Sequence, residues 1–393
     1  MRIGRVFVER RQERGLHHDP GMSRLSSRRG ASLSTDPARA VAEVRDAIDQ
    51  PGMEAVLLFC SSSYDLERLG REIAGAFRCP VMACTSAGQI GPAGYQRGGL
   101  AAASLASEEL KLHPYLIAPL SDRKARAAQV AAGVQGVIDR LPAGRRAFGL
   151  VLTDGLSLAE EGLAASLYQS LGNVPIVGGS AGDDLAFVRT AVYWDGEFRT
   201  DAAVFGLFET SLPFATLKLQ HFRPTERRLV TTAADPAVRL VVEMNGVPAA
   251  EAYAEVLGLR VEELSGAVFS ENPLMLRIGD DHYVRSLQRA NPDGSLSFFC
   301  AIEEGLVLSV GEGVEPLEAL ERGFAEAARE VPRPELVIGC DCILRRLELE
   351  EKKLSGRVGE FLAAHKVIGF NTYGEQYNAV HVNQTFTGIV LGA

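Results

Sequence analysis

Three short turns collect most of the recurring reactive side chains in this sequence. Ser86-Ala87-Gly88-Gln89, Ser180-Ala181-Gly182-Asp183 and Thr372-Tyr373-Gly374-Glu375 each set a hydroxyl two residues before a glycine and close on a polar or acidic side chain. Ser86 or Ser180 could act as a nucleophile, as could Cys60, but a nucleophile needs a base and a group that orients the base. The chain has no Gly-x-Ser-x-Gly elbow and no zincin motif, and Gly178-Gly179-Ser180-Ala181-Gly182 lacks the lysine of a phosphate loop. A hydrolase is therefore kept as an alternative, and the expectation is a protein that is not an enzyme. Glycines in such turns allow positive φ and close approach of backbone to a ligand. Main-chain N–H groups there can hold an anionic group. Ser86, Gly88, Ser180, Gly182, Thr372, Gly374 and Glu375 are the expected ligand-binding set, against the plainer reading that the turns simply pack duplicated units together.

Two further groups of residues could do chemistry. Cys340-Asp341-Cys342 ends an apolar run. Neighbouring strand residues face opposite ways, so the two cysteines share one face and Asp341 takes the other. Cys340 and Cys342 are a candidate metal pair, although a closed zinc site takes four ligands. The alternatives are a redox-active thiol near Arg345 or two small core residues. Of the seven histidines, His381 follows the third turn and lies near Tyr373 and Tyr377. His282 sits in Asp281-His282-Tyr283-Val284-Arg285, with Arg285 suited to a carboxylate. His17-His18 falls in an Arg-rich stretch with little apolar periodicity.

The elements that position these residues repeat. An apolar strand, a polar loop, a helix, a second strand and a small-residue turn occur from Ala55, from Phe148 and from Glu335, each followed by another strand-like run. Duplicated α/β units in mixed sheets follow, and parallel strands place ligands at their carboxyl ends. Between the second and third copies the pattern changes to short alternating strands with hairpin signals such as Asn291-Pro292-Asp293-Gly294. A chain of 393 residues predicts two domains. The expected division is a disordered basic tail over 1–35, a first domain over 36–243 and a second over 244–393, with Met22 as an alternative start. A net charge of −9 argues against nucleic acid as the main partner. No apolar run reaches the length of a membrane-spanning helix, and the N-terminus lacks the apolar core of a secretory signal. A cytoplasmic location is expected, and the six cysteines show no disulfide framework.

These residues carry a family resemblance. ACTSAGQI, IVGGSAGDDL, the Asp281–Ser286 segment, Gly339-Cys340-Asp341-Cys342 with Arg345-Arg346, and Asn383-Gln384-Thr385-Phe386-Thr387-Gly388 together resemble FIST proteins over nearly the whole chain beyond the tail. GFNTYGEQYNAVHVNQTFTGI is similar to the nitric-oxide-sensing, haem-binding subgroup. That resemblance implies a sensory input protein acting in trans on a histidine kinase or on a diguanylate cyclase or phosphodiesterase. It implies haem as cofactor, with His381 or His282 as axial ligand and Arg285, Tyr373 and Tyr377 around it. The alternative is a FIST sensor of another small metabolite, such as an amino acid, without haem. A homo-oligomer is compatible with either.

Overall fold

The computed structural model describes residues 24–393. The readings on His17-His18 and Met22 lie outside them. The repeat seen in the sequence is the core of a longer unit used three times. The first unit runs β1 (Ser26–Ser32), α1 (Pro37–Ile48), β2 (Met53–Ser61), α2 (Leu66–Ala76), β3 (Val81–Ser86), a hairpin of β4 (Gln89–Gly91) and β5 (Gly94–Gln96), then β6 (Leu100–Ala106). The second runs β7 (Leu110–Ile117), α3 (Arg123–Ile138), β8 (Arg146–Thr153), α4 (Glu160–Leu171), β9 (Ile176–Ser180), a hairpin of β10 (Val192–Trp194) and β11 (Glu197–Arg199), then β12 (Ala203–Thr210).

The third unit opens with β13 (Phe214–Gln220) and is then interrupted by an insert. The insert holds β14 (Phe222–Asp235), β15 (Leu240–Met244), β16 (Val247–Pro248), α5 (Ala249–Leu257), α6 (Gly266–Glu271), β17 (Leu274–Ile278), β18 (Asp281–Arg285), β19 (Leu287–Ala290), β20 (Leu296–Phe298) and β21 (Val307–Gly313). The unit resumes with α7 (Pro316–Glu330), β22 (Pro334–Cys342), α8 (Ile343–Glu351), α9 (Ser355–Ala364), β23 (Val367–Thr372), a hairpin of β24 (Glu375–Tyr377) and β25 (Val380–Val382), and β26 (Thr385–Gly392).

Each unit builds the same four-strand arrangement. The orders are β1-β6-β2-β3, β7-β12-β8-β9 and β13-β26-β22-β23, with the two strands of the repeat parallel and the flanking pairs antiparallel. The hairpins are exchanged. β4-β5 extends the third sheet beside β23, β10-β11 extends the first beside β3, and β24-β25 extends the second beside β9. This cyclic exchange gives three six-stranded mixed sheets of equivalent strand order, each completed by a hairpin from another unit. The fold is thus α/β, built from repeated units with mixed sheets. The expected boundary at 243/244 falls inside the insert, and two of the three six-stranded sheets, like the sheet of the insert, contain strands from both sides of it.

Residues 26–32 form β1, against the expectation of a tail reaching to 35. Their Ser- and Arg-rich composition hides an edge strand. It pairs antiparallel with β6 over seven positions, turning Gly30 and Ser32 inward and most of its other side chains outward. The parallel strands read as continuous apolar runs because both of their faces are covered. One face of each sheet joins a common core. Leu57, Phe59, Leu150, Leu152, Ile338 and Phe370 meet there, and Phe59 stacks on Phe370 with ring centroids 4.6 Å apart. The other face is covered by helices. α1 starts at the Asp36 carboxylate, which accepts from Arg39 N at 2.9 Å with Pro37 in the first turn, and buries Val41, Val44 and Ile48. The insert has its own core around Met244, Tyr253, Phe269, Leu274 and Phe298. Its sheet order is β18-β17-β21-β14-β15-β20-β19. The two end strands are joined through Ser286 alone, so the sheet must curl back on itself.

Candidate functional site

The three turns meet at the carboxyl ends of the parallel strands and are spent on holding the units together. Ala87 N donates to Asn371 O at 3.0 Å, and Asn371 N donates to Gly88 O at 2.8 Å. Gly182 N donates to Thr85 O at 3.2 Å, while Tyr373 N donates to Ser180 O at 3.1 Å and Ser180 N to Gly374 O at 2.8 Å. The amides of Ala87, Gly182 and Tyr373 are thereby directed at neighbouring carbonyls rather than into a cavity. The glycines permit this close approach. A Cβ on Gly182 would lie 2.7 Å from Ala87 N, and one on Gly88 would lie 2.0 Å from an Arg346 guanidinium nitrogen. Ser86 Oγ donates to Cys60 O at 3.0 Å and pairs with the Gln89 amide at 2.8 Å, with no histidine, lysine or carboxylate on it.

Glu375 lies fully buried in the third turn. Its carboxyl accepts from the Thr372 and Thr385 hydroxyls and from Thr385 N at 3.2 Å, and burial pushes its pKa up to about 8. Cys340 and Cys342 are buried near it, and burial raises both thiols well above their ordinary range. Among the described residues no group of three or more His, Cys, Asp or Glu is placed to hold a metal ion. Asp341 points the other way, as strand alternation requires. It accepts from Arg345 Nε at 2.8 Å and from the Tyr95 hydroxyl. Arg345 reaches on to His221, whose other ring nitrogen is 2.7 Å from Glu348.

The second polar concentration lies at the seam where the insert meets the β24-β25 hairpin. His381 on β25 is 1 % exposed, and burial lowers its pKa to about 4, leaving a neutral imidazole. Its Nδ1 is 3.2 Å from Gln376 Nε2, which also donates to Ser180 Oγ at 2.9 Å. The ring proton then belongs on Nε2, which makes no hydrogen bond of good geometry although the Phe299 backbone lies close enough to favour its proton. Gln376 Oε1, both amide atoms of Asn383, and Arg285 Nε are likewise buried without partners. His381 Nε2 and Asn383 Nδ2 face the same spot, 2.6 Å and 3.2 Å from where a Cβ on Gly374 would stand. Each unpaired buried polar group costs about 1–3 kcal/mol unless a water or another polar group completes it.

The insert reaches the seam through polar contacts. An Arg285 guanidinium N–H donates to His381 O. Ser286 Oγ donates to Gln384 Oε1 at 2.8 Å, and Gln384 Nε2 donates to Ser270 O at 3.1 Å. Arg239 bonds Glu160 at 2.8 Å and Glu161 at 3.0 Å at the start of α4, and Ala301 N donates to Glu161 at 2.7 Å. Burial raises Glu160 to about 7 despite Arg239.

The structure brings His381 and Arg285 together and separates them from the other residues expected around a haem. His282 is on the opposite face of β18 from Tyr283 and Arg285. The Tyr373 hydroxyl is bound to Asp183, and the Tyr377 hydroxyl is 3.3 Å from Thr216 Oγ1. As arranged, these residues do not fit a haem. His381 Nε2 lies against Gly374 in the closed seam, and the tyrosines expected beside it are engaged elsewhere, so the set implied for a haem is not assembled around that nitrogen. Gln376, Asn383, Glu161 and Arg239 escaped the sequence reading. Glu160-Glu161 reads as ordinary acid at a helix start, and two lone amides in a strand-rich segment carry no spacing signal.

The FIST N domain matches residues 54–247 and the FIST C domain matches residues 249–378. The chain belongs to the FIST domain family, whose members are small-ligand sensory domains of signalling proteins. It is 24% identical over 253 residues to an uncharacterized protein of Methanocaldococcus jannaschii, a match covering 56% of this chain and 49% of that protein. The chain thus spans about half the length of that relative. A cyanuric acid hydrolase from A. caulinodans is similar over 49% of this chain and 72% of its own, with 10% identity and a TM-score of 0.28. Among the described residues no helix is long and apolar enough to cross a membrane.

Proposed function

We propose that this chain is a sensory protein whose small polar ligand is held at the seam between the insert and the β24-β25 hairpin, without haem. The observation that carries this reading is the set of buried atoms with no partner on Gln376, His381, Asn383 and Arg285. They offer both donors and acceptors, which suits a metabolite such as an amino acid better than an apolar molecule. Arg285 is the group for a carboxylate, through the Nε–H left free beside the Nη1–H that donates to His381 O. The ligand enters as the insert lifts, because its contacts across the seam are hydrogen bonds and ion pairs rather than a shared apolar core. Ligand binding then changes how the insert sits on the three-sheet body, and a partner signalling enzyme, a histidine kinase or cyclic-di-GMP enzyme, reads that change.

The test is thermal unfolding of the full chain against a panel of amino acids, with an absorption spectrum after haem is supplied. A ligand that binds only the folded protein raises the midpoint. The expected result is a concentration-dependent rise with one class of amino acid, lost in Asn383→Ala, and no Soret band. A stoichiometric Soret band lost in His381→Ala would return haem to the site. A flat panel would remove the amino-acid reading.

A further inference from the structure

A cavity lies along the same seam, on the side of α8, and the residues above do not account for it. Its volume is about 280 Å³. Two of its walls come from different bodies. Leu344 and Leu347, one turn apart on α8, face Phe269, Leu287 and Phe299 of the insert. The floor is Gln384 with Ser270, already hydrogen-bonded to one another across the seam. A dry apolar cavity of about 150 Å³ takes a benzene ring, so this one has room for a ring and a short side chain.

The charged groups around it are of one sign. Glu348 and Glu351 are the only charged residues on its lining, and no lysine or arginine is among them. Glu348 is committed elsewhere, 2.7 Å from His221 and 2.6 Å from Lys352. Glu351 is exposed at the end of α8 and has no ion-pair partner among the described residues. An apolar chamber whose free charge is one carboxylate at the rim selects by both properties. It favours a molecule with an apolar body and a positive end, and it disfavours an anion of the same shape. Phe269 and Phe299 add aromatic faces that suit an ammonium group.

We infer that this seam cavity is a binding site for a small apolar amine, a primary ammonium carried on an aromatic or branched aliphatic group. The body of the amine seats between α8 and the insert, and its ammonium lies toward Glu351. This assignment stands on the cavity and not on the polar cluster at His381, so either can fail alone. Because the walls belong to different bodies, an occupant ties the insert to α8.

The experiment is calorimetric titration of the full chain with phenethylamine and with phenylacetate, which share a ring and differ in the sign of the charge. Phenethylamine is expected to bind at least about tenfold more tightly than phenylacetate. Glu351→Gln should erase most of that preference while leaving the ring's contribution. Leu347→Trp, which fills the chamber, should abolish binding of both. Leu344→Phe is a milder filling change, expected to weaken both in case the tryptophan variant does not fold, which its unfolding curve reports. Equal binding of the two probes, full binding retained in both filled variants, or no binding of phenethylamine at millimolar concentration would each overturn the proposal.

Discussion

Single residues in this protein do structural work at the places where the sequence suggested chemistry. Glu375 shows it most clearly. An unfolded glutamate releases its proton near 4.5, whereas burial holds this one up to about 8 in the folded chain. Protonation therefore favours the folded state. That advantage is fully present below pH 4.5 and is lost as pH rises through 8. Stability measured by urea unfolding should fall by a few kcal/mol between pH 5 and pH 9, with Glu160 sharing the fall up to about pH 7, and Glu375→Gln should remove most of the part between pH 7 and pH 9. An unchanged slope would show that the carboxyl is not held protonated. His381 works in the opposite sense. Its depressed pKa makes a contribution that is present above 6.5 and lost as pH falls through 4. Gly374 is constrained by its neighbour, since an added Cβ would sit 2.2 Å from His381 Cε1. Gly374→Ala should cost about 1–3 kcal/mol by forcing the ring aside, with the His381 ring resonances shifting in NMR spectra. The turn motifs were legible as three equivalent features. Their use was not, because a Ser-Ala-Gly turn that binds a ligand and one that pairs with a neighbouring strand have the same residues.

At the scale of elements, the insert and α4 are joined by a charge cluster that the sequence distributes over 80 positions. Arg239, in the turn before β15, bridges Glu160 and Glu161 at the first turn of α4, and Glu160 is 1 % exposed. Removing one member of a buried pair leaves the other without compensation, which costs about 3–5 kcal/mol. Arg239→Met should therefore destabilise the chain by roughly that amount. Adding Glu160→Gln should recover part of the loss. A double variant no more stable than the single one would show that Glu160 was not left stranded. The parallel strands, their helices and the strand after each turn were readable, because continuous apolar runs and capped helices are local signals. β1 was not, because an edge strand with polar outward side chains resembles a tail. The hairpins β4-β5, β10-β11 and β24-β25 were hidden as well. Each is only two three-residue strands whose partners lie in another unit. The polar seam was half legible, since His381 and Arg285 stand out in the sequence but Arg285 reaches His381 only through the docking of the insert, while Asn383 and Glu161 carry no local signal.

For the whole molecule, hairpin exchange means that the sequence halves are not independent bodies. A chain cut in the turn at Leu212-Pro213 leaves β24-β25 in one fragment and the sheet it completes in the other, and the same holds for β4-β5. Fragments 24–212 and 213–393 should each lack cooperative unfolding and should regain it when mixed, as followed by circular dichroism. Two fragments that each melt cooperatively would contradict the interlocking. The insert is attached differently. Phe222 pairs with Gly313 at its neck, so chain enters and leaves it side by side. Replacing 223–312 by a tight turn should leave a folded three-sheet body of lower melting temperature, while a chain that no longer folds would make the insert part of the core. The exchange also bears on how such a protein could arise. One unit made alone carries a hairpin with no sheet to join and a sheet edge with no hairpin to cover it. It satisfies both needs only by passing its hairpin to one copy and accepting another's. Head-to-tail contacts of that kind either run on as a filament or close, and the rotation built into this molecule closes at three. The single chain has the geometry of a cyclic homotrimer whose subunits have been fused, and the ninety-odd residues of the insert mark the one unit of the ring that has become different from the other two.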